Sequence, residues 1–104
     1  MIEKSKWFSL SFDEQMGNLA AEISRAKNWE NQGELIERNN AIVRAFDLID
    51  LIVQDERWKG RRREILQFRE VLGAIYCNSK IYTVTLERLQ NYCMPFALKA
   101  RWNR

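Results

Sequence analysis

Asp55-Glu56-Arg57-Trp58-Lys59-Gly60-Arg61-Arg62-Arg63-Glu64-Ile65 decides how the chain divides, because an acidic helix end, a turn and a run of arginines meet there. Charge changes sign at this hinge. Residues 1–56 carry six Lys/Arg against eleven Asp/Glu, a balance of −5; residues 57–104 carry eleven against three, a balance of +8, and the two give the net +3. On both sides Leu, Ile, Ala, Glu, Arg and Lys dominate, with one Pro and four Gly to interrupt them, so an all-α fold follows. At 104 residues with 46% apolar and 30% charged side chains, the chain suits one domain, 1–104, with a modest core.

Upstream of the hinge, two helices are expected. Ser11-Phe12-Asp13-Glu14 has the form of a capping box and opens the first, whose Phe12, Met16, Leu19, Ile23 and Ala26 recur at three- and four-residue steps. Gly17, Ala20, Ala21 and Ser24 add a strip of small residues that would let a neighbouring helix, or a second copy, approach closely. Asn31-Gln32-Gly33 ends it, Gly33 suiting the left-handed position. The second helix, from about Glu34 to Asp55, is the most apolar element and is expected at the centre, with Asp47 and Asp50 as a carboxylate pair and Arg44 as the partner of Asp47. Residues 1–10 are expected to form an extended lead-in whose Trp7, Phe8 and Leu10 cover one end of the core.

Downstream, Ile65, Phe68, Leu72 and Ile75 mark a third helix that starts near Trp58 to Arg61 and ends near Cys77. Asn78-Ser79-Lys80-Ile81-Tyr82 is expected as a loop, and Thr83 or Thr85 as the cap of a fourth helix. Leu86, Leu89, Cys93, Phe96 and Ala100 form that helix's stripe, and Pro95 is expected to kink it near Asn91–Met94. Four amphipathic helices on short loops predict an up-down-up-down four-helix bundle, with helices three and four sharing a basic face and Phe46, Ile49, Phe68 and Leu72 buried.

The arginine run opposes the dipole of the helix it begins, so it calls for an explanation. Ion pairing to Asp55, Glu56 and Glu64 is one; a site for an anion or partner is the other. The candidate binding residues are Arg57, Trp58, Lys59, Arg61, Arg62, Arg63 and Arg69, with Lys99, Arg101 and Arg104 from the last helix. Trp7, Trp58 and Trp102 each follow a Lys or Arg, a pairing that suits base stacking beside phosphate contact, or Trp plugs with cations snorkelling past them.

Enzyme chemistry is not expected. Without histidine there is no His-based general base, no Ser-His or Cys-His nucleophile and no Glu-x-x-His di-iron set. Asp47-x-x-Asp50 stands without the second acidic step of an all-α pyrophosphohydrolase, and no glycine-rich phosphate loop occurs. No cofactor and no metal are expected. Met1 to Trp7 lack the apolar run of a signal peptide, and no window approaches the roughly 18 apolar residues of a membrane span. A cytoplasmic protein away from membranes, with Cys77 and Cys93 as reduced thiols, is therefore expected.

Leu10-Ser11-Phe12-Asp13-Glu14-Gln15-Met16-Gly17-Asn18, Ala45-Phe46-Asp47-Leu48-Ile49-Asp50, Asp55-Glu56-Arg57-Trp58 and Arg69-Glu70-Val71-Leu72 resemble a group of short bacterial proteins without an assigned activity. In size, helix count and basic surface the chain is also loosely similar to the four-helix-bundle group of ribosomal-RNA intervening-sequence proteins and the accessory variability determinant of diversity-generating retroelements. That likeness implies a non-catalytic accessory protein that binds nucleic acid, RNA above all, or a nucleic-acid enzyme such as a reverse transcriptase. The alternative is a protein-interaction or self-assembly module, in which an acidic protein surface or a second copy meets the basic one.

Overall fold

A computed structural model describes residues 3–78 and 85–102. All regular elements among them are helical: α1 (Lys4–Trp7), α2 (Phe12–Asn31), α3 (Leu35–Gln54), a 3₁₀ turn (Glu56–Arg61), α4 (Arg62–Tyr76) and α5 (Leu86–Trp102). The expected loop residues Ser79 to Tyr82 and the cap at Thr83 lie outside the described residues. Thr85 does cap α5, its Oγ1 accepting from the Arg88 amide at 3.3 Å.

Local signals act where the sequence puts them. Ser11 Oγ accepts from the Glu14 amide at 3.1 Å and Glu14 accepts from the Ser11 amide at 3.0 Å, closing the capping box at the start of α2, an arrangement worth about 1 kcal/mol. Gly33, at φ 77°, turns the chain from α2 into α3. The lead-in is not wholly extended, because Lys4–Trp7 wind into one helical turn that carries the Trp7 ring to full burial; Phe8 and Leu10 pack against the same core.

α2, and not the more apolar α3, is the central helix. It packs extensively on both α3 and α5, and Met16, Leu19, Ile23 and Ala26 are fully buried between them. The small-residue strip explains the difference: Gly17 faces Ala97, and Ser24 Oγ accepts from Gln90 Nε2 at 2.6 Å, so α5 beds closely against α2. α4 leans mainly on α3, and its contact with α5 is slight, centred on Phe68 and Tyr92 with rings 5.6 Å apart. The broad face expected between helices three and four is therefore not formed. Cross-links at Glu22–Arg44 and Glu30–Arg38 run α2 and α3 in opposite directions, as Val53–Arg62 and Asp50–Arg69 do for α3 and α4.

Ile49, Phe68 and Leu72 are in the core as expected, but Phe46 is half-buried at its edge, between Tyr76 (ring centroids 6.0 Å apart) and the Arg69 guanidinium (4.8 Å). Pro95 lies inside α5, which continues as helix to Trp102. No described helix is long and apolar enough to cross a membrane.

Candidate functional site

Antiparallel packing gathers the hinge, the start of α2 and the last turns of α5 at one end of the molecule. The Arg61 guanidinium lies 4.4 Å from the Phe12 ring centroid and 5.5 Å from that of Phe96, which joins these three elements directly. Most of the candidate cations are therefore close together, although not along a shared α4–α5 face.

At the hinge, part of the cation run is spent on the fold. Asp55, buried, caps the 3₁₀ turn by accepting from the Arg57 amide at 3.1 Å. Arg57 grips both carboxylate oxygens, Nε to Oδ1 at 3.0 Å and Nη2 to Oδ2 at 2.7 Å, and also donates to the Leu10 carbonyl at 2.8 Å. The bidentate Arg57 guanidinium beside Asp55 holds its carboxyl below the usual carboxylate range, outweighing the opposite effect of burial.

The hub of this network is Gln15, a fully buried side chain on α2. Its Nε2 donates to the Trp7 carbonyl (3.1 Å) and to Asp55 Oδ2 (3.2 Å), and its Oε1 accepts from Trp58 Nε1 (2.8 Å). One amide thus ties α1, the end of α3 and the 3₁₀ turn to α2.

Arg62 and Arg69 are also engaged. Arg62 Nε donates to the Val53 carbonyl at 2.9 Å, satisfying an orphan acceptor at the end of α3, and its Nη2 meets Glu56 at 3.1 Å. Arg69 pairs with Asp50 at 3.0 Å. Of the ten residues that the sequence singles out, Arg57, Trp58, Arg61, Arg62 and Arg69 are thereby built into the fold, and Arg104 lies outside the described residues. Lys59, Arg63, Lys99 and Arg101 hold no hydrogen bond or ion pair among the described residues and are exposed.

Beside the last two runs an apolar stripe: Met94, Leu98 (51% exposed) and Trp102 (85% exposed) recur at four-residue steps along α5 and are open to solvent, so Trp102 plugs no core, and Met94 and Leu98 were assigned no role by sequence reading. A second exposed stripe lies on the first half of α3, with Ile36 (78% exposed) and Val43 seven apart and Leu35 alongside. Glu37 and Asp47 border it and hold no ion pair among the described residues. The expected Arg44–Asp47 pair is absent because the buried Glu22 takes Arg44 at 2.8 Å, together with Arg25. Asp50, spent on Arg69, leaves no carboxylate pair.

Two further buried polar residues escaped sequence reading. Arg38, 4% exposed, donates to Glu30 (2.9 Å), Asn39 (3.0 Å) and Asn78 (3.4 Å), locking the opposite end of the molecule; Glu22 is the other. An open groove of about 540 Å³ runs between α2 and α3 over Ala21, Leu48 and Leu51, rimmed by charges of both signs. No group of three His, Cys, Asp or Glu among the described residues could hold a metal. Cys77 is exposed, whereas burial pushes the Cys93 thiol up to about 12.

The chain matches no family of known proteins, no curated protein and no solved structure.

Proposed function

We propose that this protein is a non-catalytic docking module, an up-down-up-down four-helix bundle bent at Pro95, that binds protein partners through its exposed apolar stripes. The observation that carries this reading is the contrast on α5 and α3: Met94, Leu98 and Trp102, and Ile36 and Val43, are left in water while Arg57 and Arg62 are spent on Asp55 and the Val53 carbonyl. Exposed apolar surface bordered by charge is what interaction sites present, since burying it on association is favourable at roughly 25 cal/mol per Å². A reducing, cytoplasmic setting suits the two free thiols.

A second reading, association with nucleic acid, is favoured by Lys59, Arg63, Lys99 and Arg101, which hold no ion pair among the described residues, and by the open Trp102 ring next to Arg101. One pair of titrations separates the two on dilute, nuclease-treated protein. Docking predicts uptake of a hydrophobic dye that falls in Leu98→Glu and again in Leu98→Glu/Ile36→Glu, with no binding of RNA or DNA oligonucleotides. Oligonucleotide binding that weakens steeply between about 50 and 200 mM salt, and whose salt slope shrinks when the four cations become Gln, would replace it with the second reading.

A further inference from the structure

The docking reading leaves the partner open, and the two stripes narrow it. The α5 stripe is bordered by Lys99 and Arg101, with Arg101 seven residues after Met94 and so on the same face; the α3 stripe is bordered by Glu37 and by Asp47, four residues after Val43. Each is an apolar line beside charged residues of one sign that hold no ion pair among the described residues, and the signs are opposite. Their lengths agree: Met94 to Trp102 rises about 12 Å and Ile36 to Val43 about 11 Å along their helices. They also stand on different helices towards opposite ends, Ile36 just after the Gly33 turn and Trp102 one and a half turns beyond Phe96, which Arg61 holds at the hinge end. One copy therefore cannot bring its own two stripes together, but two copies can.

We propose that the α5 stripe of one molecule docks on the α3 stripe of a second copy, head to tail. This inference rests on the docking reading. Like-on-like pairing is disfavoured on both sides: α5 on α5 would oppose Lys99 and Arg101 with themselves, and α3 on α3 would oppose Glu37 and Asp47. A heterologous contact instead sets cations against acids as Leu98 and Trp102 cover Ile36 and Val43.

Light scattering of the nuclease-treated protein across a concentration series tests it, with one-face variants at exposed positions that leave the core alone. The parent is expected above monomer mass; Leu98→Glu and Ile36→Glu are each expected to weaken association at least tenfold. Mixed together, these two variants are expected to form a one-to-one pair, since each retains the face the other lacks. The charge exchange Lys99→Glu/Arg101→Glu should weaken association, and Glu37→Lys/Asp47→Lys in the other molecule should restore it. A parent that is monomeric throughout overturns the second copy as partner but leaves the docking reading to its dye and oligonucleotide titrations. An associating parent whose one-face variants do not pair overturns the head-to-tail contact.

Discussion

The hinge and the last two turns of α5 both carry cations and lie at the same end of the molecule, yet Arg57, Arg61 and Arg62 of the hinge are built into the fold whereas Lys99 and Arg101 are not. At the hinge, Arg57 clasps a buried carboxylate and Arg62 a helix-end carbonyl, while Arg61 lies over two rings. On α5, Lys99 and Arg101 face solvent beside Leu98 and Trp102. What separates them is the supply of acceptors. The end of α3 offers Asp55, Glu56 and an orphan carbonyl that the arginines take, while Lys99 and Arg101 take no acceptor among the described residues and stand at the dipole-favoured end of α5. Basic sequence is available charge only where the fold provides no acceptor.

The strongest way to break the comparison is at the carboxylate. Asp55→Ala leaves Arg57 and Gln15 without their shared partner and removes the cap of the 3₁₀ turn, and should cost about 2–4 kcal/mol in urea unfolding, reduced from a fully buried pair because Arg57 is partly exposed. A loss below about 1 kcal/mol would mean that the network is dispensable. The same residue gives a pH signature. Its carboxyl is depressed in the folded state, so its contribution is present above the unfolded value near 3.9 and is lost as pH falls through the lower folded value. Stability should decline below about pH 4, and Asp55→Asn should flatten that decline.

Phe46→Ala is expected to cost about 1–2 kcal/mol, below the usual Phe→Ala range, because the ring sits at the core's edge under Arg69. A cost above about 3 kcal/mol would return it to the core. At Gly73, inside α4, an added methyl meets nothing within 4 Å, so Gly73→Ala should stabilise by up to about 1 kcal/mol. The contrasting change on α5 should be nearly silent: Lys99→Gln/Arg101→Gln should shift stability by less than about 0.5 kcal/mol, a value that larger losses in thermal unfolding would refute.

Legibility in the sequence followed the range of the interaction. The Ser11–Glu14 box and the Gly33 turn are settled within four residues, and the stripe through Met16, Leu19 and Ile23 by helical periodicity. Position in the bundle was not legible, because α3's greater apolarity partly reflects Ile36 and Val43, which are exposed. The network was hidden for a different reason: Gln15 and Asp55 are 40 residues apart, and nothing local marks a buried amide. A faint signal did exist, in that Gln15 and Glu22 stand seven apart beside the apolar stripe of α2, where polar residues on a core face invite a search for partners.

The most direct measurement is the urea-unfolding stability of Arg61→Gln/Arg62→Gln/Arg63→Gln. If the run were solvent-facing, Gln would preserve helix propensity and relieve the unfavourable dipole, so stability would hold or rise by a few tenths of a kcal/mol. The present account predicts a net loss of about 1–2 kcal/mol, from the carbonyl that Arg62 satisfies and the rings that Arg61 covers. Unchanged or increased stability would contradict it and return the arginines to the surface as free cations.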